Sequence, residues 1–218
     1  MTKRISVLGW LLMGAMLLAQ DAPRAPSLHK PAPQPTSAYD QPLTGYEAVV
    51  LIAEFIQNLE QGLSEAFEKP IRTAGAGEVS LSGKHPAWAQ KALLELKRRG
   101  LIPPGFNGRQ PIQRYQVGIM LARYAKRLDT CMRTQLGNPI GRTRFQTQPR
   151  IALAPRHPAY ASLKYLAAGA WVGADSLLYR EPEGALRGKE LPDMLQQLAR
   201  RILERYTHEK HLEEPPLR

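Results

Sequence analysis

Leu43-Thr-Gly-Tyr-Glu-Ala-Val-Val-Leu-Ile-Ala53 and Ile112-Gln-Arg-Tyr-Gln-Val-Gly-Ile-Met-Leu-Ala122 align without a gap, and each follows a proline, Pro42 or Pro111. In the first stretch Tyr46, Val49, Val50, Ala53 and Ile56 stand at i, i+3, i+4, i+7 and i+10, the period of a helix with one buried stripe. Leu51, Ile52 and Phe55 widen that stripe, and the second stretch carries its apolar positions in the same phase. Helices this apolar belong at the centre of a domain. Leu186-Arg-Gly-Lys-Glu-Leu-Pro-Asp-Met-Leu195 is a weaker third copy that keeps the acid and the Leu-rich helix.

The segments ahead of these stretches repeat as well. His85-Pro-Ala-Trp-Ala89 is matched by His157-Pro-Ala-Tyr-Ala161, and Leu93 to Ile102 is echoed by Leu163 to Val172. Two matched segments in the same order indicate an internal repeat. Helices are therefore expected over residues 44–60, 86–99, 113–128, 158–170 and 187–206, which makes the chain all-α. Pro86 suits a first-turn position and Gly100 a C-terminal cap. Residues 129–156 read as a long irregular connection, with Arg133, Arg142, Arg144, Arg150 and Arg156 set against a single acid, Asp129.

Outward from this core, Lys3 and Arg4 precede an apolar run from Ile5 to Ala19, the layout of a secretory signal peptide over residues 1–19. An uncleaved membrane anchor is the alternative; cleavage would leave no transmembrane segment. Residues 20–42 hold Pro23, Pro26, Pro31, Pro33, Pro35 and Pro42 and form a semi-extended linker to a repeat domain over 43–206, followed by a charged tail over 207–218. The chain has a net charge of +11, and loss of Lys3 and Arg4 lowers it only by two. For an exported chain, that balance favours an anionic envelope polymer over nucleic acid. Cys131 is the only cysteine, which excludes an intramolecular disulfide.

The order His85-Pro-Ala-Trp, Gly100-Leu-Ile-Pro-Pro-Gly, Asn107-Gly and Pro111-Ile-Gln-Arg-Tyr-Gln resembles the S-layer homology (SLH) repeat, and Pro42-Leu-Thr-Gly-Tyr-Glu is similar to the second half of another repeat. The resemblance spans about two and a half repeats. It implies a pseudo-threefold bundle of helix-loop-helix units whose motif-bearing helices are central. It further implies inter-repeat grooves that bind a cell-wall glycopolymer, typically a pyruvylated polysaccharide, with an S-layer or other envelope protein as a further partner.

Thr44 and Glu47 have the spacing of a capping box, which satisfies two orphan amides at a helix start. The position used by the family for an anionic sugar is Arg114 in the second repeat, Gly45 in the first, and shifts to Arg187 or Lys189 in the third. Arg114 at a helix N-terminus suits a carboxylate, and a solvated surface arginine is the competing reading. Tyr115, Trp88 and Tyr160 are candidate sugar platforms, with burial in the core the competing reading for the last two. His208 and His211 are three apart in a charged tail, which is not a metalloprotease spacing, so no metal and no cofactor is expected. No P-loop, dinucleotide fingerprint or nucleophile elbow is present, and the expected role is non-catalytic. Three functions remain open at this point: a wall-polymer binder, a structural adaptor in an envelope complex, and an exported basic protein that binds nucleic acid or lipopolysaccharide through residues 129–156.

Overall fold

A computed structural model describes residues 40–73, 75, 79–139 and 147–207. The expected signal peptide, most of the linker, Arg142, Arg144 and the tail with His208 and His211 lie outside the described residues. Within them the fold is all-α: α1 (Gly45–Phe67), α2 (Ala87–Arg98), α3 (Arg114–Leu136), α4 (Tyr160–Ala168), α5 (Leu177–Arg180) and α6 (Glu190–Thr207). α1 packs on α2 and α6, and α3 packs on α4 and α5. Their buried side chains, among them Leu43, Ile52, Ile56, Tyr124, Leu163 and Trp171, form one continuous core.

Several helices differ from the expected bounds, for local reasons. α1 runs past residue 60 because Leu59 and Leu63 continue its buried stripe, and it stops at Glu68, whose left-handed φ of 54° breaks the ladder. α3 runs eight residues past 128, so the first part of the supposed irregular connection is helical. There Leu128 and Met132 extend the apolar stripe, the Asp129–Arg133 ion pair at 2.8 Å ties one turn to the next, and Gly137 (φ 90°) ends it. α5 was not expected. It is a single turn capped by Ser176, whose hydroxyl accepts from the Leu178 amide at 3.2 Å.

The C-terminal caps of α2 and α4 are copies of each other. Leu101 N donates to Leu96 O and Gly100 N to Lys97 O; likewise Trp171 N donates to Leu166 O and Ala170 N to Ala167 O. This is the paired-bond cap that requires a left-handed residue. Gly100 (φ 62°) adopts that conformation freely, whereas Ala170 (φ 49°) holds it against its Cβ.

The three motif segments meet in a closed ring of backbone hydrogen bonds. Leu43 N donates to Leu186 O at 2.8 Å, Leu186 N to Ile112 O at 2.8 Å, and Ile112 N to Leu43 O at 2.9 Å. An outer set follows the same offsets: Gly45 N to Gln110 O, Arg114 N to Gly184 O and Gly188 N to Gln41 O, each at 3.0 Å. Three isolated bridges, Pro42 with Arg187, Thr44 with Pro111 and Gln113 with Ala185, record the same geometry. The donors Leu43, Ile112 and Leu186, and again Gly45, Arg114 and Gly188, stand at corresponding positions of the three motif stretches. Leu43, Ile112 and Leu186 are each at most 1% exposed, so the ring pairs amides that burial would otherwise leave unsatisfied.

A second anchor lies where α1 meets α2. Arg99 Nη1 reaches Glu60 Oε1 at 2.6 Å, Arg99 Nε reaches Glu95 Oε1 at 2.8 Å, and Thr73 donates to Glu60 through its amide and its hydroxyl. The buried Glu60 carboxylate thus has a charged partner and two neutral donors, which offsets its desolvation. On the far side, the Arg205 guanidinium sits 3.6 Å over the Trp171 ring, and the Tyr206 hydroxyl bonds Asp129, tying α6 to α3 and to the end of α4.

Candidate functional site

Two of the motif helices, α1 and α3, each pack on the next helix in the chain, α2 and α4, and an aromatic and histidine pair recurs at both junctions. At the first, the Tyr46 ring meets His85 edge-on at 5.9 Å and Trp88 at 6.2 Å. Its hydroxyl lies 2.8 Å from His85 Nδ1, while His85 Nε2 lies 2.8 Å from the Ser82 carbonyl. A carbonyl only accepts, so Nε2 carries the proton in this arrangement and Nδ1 accepts from the Tyr46 hydroxyl. At the second junction Tyr115 meets His157 edge-on at 4.9 Å, and His157 Nδ1 accepts from the Ala159 amide at 3.2 Å.

Close backbone approach shapes the first junction. A Cβ on Gly108 would stand 2.2 Å from the Tyr46 ring, and one on Gly45 would stand 2.7 Å from Asn107 O. No side chain fits at Gly45, so the position that carries Arg114 in the second repeat is sealed by the 106–108 loop in the first. Thr44 and Glu47 make the expected capping box: Glu47 N donates to Thr44 Oγ1 at 3.3 Å, and Thr44 N to Glu47 Oε2 at 2.8 Å.

Arg114 is not a solvated surface arginine. Its side chain is 4% exposed and grips Glu190 with two parallel bonds, Nε to Oε2 at 2.6 Å and Nη2 to Oε1 at 2.8 Å. Nη1 donates to Glu181 O at 3.2 Å, and the Glu181 carboxylate lies 3.5 Å away. The bonds to Glu190 raise the guanidinium pKa further, against the opposing effect of burial, so this cation is permanent. Glu190 is the third-repeat counterpart of Glu47. It leaves the cap to close the junction between repeats two and three, and α6 starts at Glu190 rather than at Arg187.

The remaining candidates divide by exposure. Lys189 stands where Tyr46 and Tyr115 stand in the other repeats and is exposed, bonded to Asp40 at 2.5 Å; that hydrogen bond and charge hold the Asp40 carboxyl below its ordinary value. Arg187 is exposed and enters the ring through its backbone only. Trp88 is half-buried against the core, and Tyr160 is half-buried at the start of α4. The structure therefore joins Trp88 and His85 each to Tyr46, Arg114 to Glu190, and Lys189 to Asp40; it does not gather the six candidates into one pocket.

Sequence reasoning missed Glu190, Glu181, His85 and His157 as participants. Glu190 and the two histidines were visible as repeat-equivalent positions. Among the described residues, no cluster of His, Cys, Asp or Glu is arranged to hold a metal, and no helix is long and apolar enough to cross a membrane. Compared with models of protein families, with curated proteins and with solved structures, the chain matches none.

Proposed function

We propose that this chain is a non-catalytic, exported envelope module of SLH-like, pseudo-threefold design. On this reading it binds an anionic, pyruvylated cell-wall polysaccharide or a peptidoglycan-associated polymer, and takes part in S-layer or envelope attachment. The observation that carries the reading is the three-way backbone ring with the Tyr–His pair recurring at two equivalent junctions. Half-buried Trp88, Tyr115 and Tyr160 offer ring faces for sugar stacking. Arg187 and Lys189 are exposed cations of the third motif stretch and supply the charge for an acidic sugar. Arg114 does not, because two carboxylates already face it.

The test is retention of the purified chain on cell-wall sacculi before and after removal of secondary polymer, with Trp88→Ala and Tyr115→Ala as variants. The proposal expects binding that falls on stripped walls and in both variants. Equal retention on intact and stripped walls sinks it.

A second reading is favoured by the internal use of Arg114 and the sealed position at Gly45. It keeps the architecture and makes the chain a structural adaptor within an envelope assembly. An adaptor stays bound to the envelope when the polymer is removed and is released when its protein partner is extracted.

A further inference from the structure

The second half of α3 carries a feature that the inter-repeat junctions do not use. Arg123, Lys126, Arg127, Thr130 and Thr134 recur at three- and four-residue spacing and share one helix face. Together with Arg72, Gly100, Cys131 and Gln135 they line an open cleft of about 610 Å³, within the roughly 300–1,000 Å³ of small-ligand sites. Four of the lining residues are cations and none is an acid. Lys126 is about 18 Å along the helix axis from Arg114, so this cleft is separate from the junctions.

The polar lining is already partly oriented. Arg123 Nη1 donates to Gly100 O and Ile102 O at 3.1 and 2.9 Å, which fixes its guanidinium at the cleft wall. Thr130 donates to Lys126 O and Thr134 to Thr130 O. Both hydroxyl protons are thus committed to the helix, leaving oxygen lone pairs that accept from a ligand. Exposed Arg72 and Lys126 and half-buried Arg123 and Arg127, with hydroxyl acceptors between them, match an anion that itself carries O–H donors. The negative end of the helix dipole opposes an anion here, but it contributes at most about 1 kcal/mol and fades within the last turn. Four cations outweigh it.

We infer that the α3 cleft, lined by Arg72, Arg123, Lys126, Arg127, Thr130 and Thr134, is a binding site for a phosphate-bearing sugar, such as one unit of a phosphorylated glycan. Phosphate presents three oxygens to guanidinium and ammonium donors, and sugar hydroxyls donate to the threonine oxygens. The size of the cleft suits a short oligosaccharide segment. A nucleic acid duplex needs a longer positive track than one helix face offers.

Cys131 supplies a reporter, since it is the only thiol in the chain and lies in the cleft wall with its Sγ 3.3 Å from Arg72 O. The experiment titrates the full chain with a bisphosphorylated glucosamine disaccharide, the same disaccharide without phosphate, and a short random-sequence DNA duplex at equal phosphate concentration. Binding is read by calorimetry and by the rate of Cys131 alkylation with iodoacetamide. Arg72→Glu/Lys126→Glu changes two exposed cleft cations; Lys91→Glu/Lys164→Glu makes the same charge change on exposed positions elsewhere.

The expected result is that only the phosphorylated disaccharide slows alkylation, and that the cleft variant binds it about tenfold more weakly or worse while the control variant stays near the native chain. Equal weakening in both variants overturns the site in favour of diffuse charge. No protection of Cys131 by the disaccharide also overturns it. Tighter, cleft-dependent binding of the duplex overturns the sugar assignment and makes the cleft a nucleic-acid contact.

Discussion

Replacing Arg114 by Met tests whether the junction between repeats two and three is held by its ion pair. Met keeps most of the aliphatic volume and removes the fork that holds Glu190 at 2.6 and 2.8 Å and the donor to Glu181 O. The Glu190 side chain is 13% exposed, so its carboxylate is left largely desolvated and without its cation. Removing one member of a buried pair costs about 3–5 kcal/mol. The residual exposure of Glu190 places this case at the lower end, about 3 kcal/mol. For a domain of this size each kcal/mol moves the melting temperature by about 2–4 °C, so Arg114→Met lowers it by about 6–12 °C.

The double variant Arg114→Met/Glu190→Leu removes both charges, and with them the desolvation cost of each. It returns to within about 1 kcal/mol of the native chain, because an apolar pair of similar volume replaces a buried ion pair at little net cost. Urea unfolding followed by circular dichroism, with calorimetry alongside, measures the whole cycle. A single variant within about 1 kcal/mol of the native chain, or a double variant less stable than the single one, refutes the reasoning.

Three further outcomes are expected. Ala170→Gly relieves the left-handed strain at the α4 cap, offset in part by greater freedom of the unfolded chain, for a net gain of about 0.5–1 kcal/mol; a loss in urea unfolding speaks against the cap assignment. The amides of Leu43, Ile112 and Leu186 exchange with solvent only through global unfolding, so their exchange free energies equal the unfolding free energy; faster exchange at any of the three shows that the ring opens locally. Burial raises the Tyr165 pKa from 10.0 to about 12 and pushes Tyr179 and Tyr206 up as well. Between pH 10 and 12 the unfolded chain releases protons that the folded chain retains, so stability is constant below pH 10 and falls above it by about 1.4 kcal/mol per pH unit for each such tyrosine. Unfolding at pH 9 and pH 11, with tyrosinate absorbance as the second readout, checks both sign and slope; equal stability at the two values contradicts the burial.

The helices were legible where one apolar stripe repeats, as from Tyr46 to Ile56, because that period is a local property. The far end of α3 was not, since Asp129, Thr130, Arg133 and Thr134 hide a stripe kept by only Leu128 and Met132. Arg114 illustrates the limit for the candidate site. Its position in the motif was visible, but its burial depends on Glu190 arriving from the next repeat, and composition near residue 114 carries no trace of that. Tyr46 and His85 came together in the same way, through the packing of α2 on α1. The basic face of α3 is legible as three- and four-residue spacing from Arg123 to Thr134, whereas the cleft it lines also needs Arg72, which arrives from the segment after α1.

The closed ring also constrains how the chain reaches its native state. Leu43 and Leu186 pair from opposite ends of the described chain, and each of the three segments needs both of the others before its bonds are complete. Such long-range closure raises contact order, so assembly is slow and all-or-none rather than repeat by repeat. A truncation that drops the third segment exposes the Leu43 amide and the Ile112 carbonyl together, whereas new termini cut into a surface loop between repeats leave the ring whole. Circular permutants should therefore fold where shortened chains do not, which sets this architecture apart from open solenoids that shed end repeats one at a time.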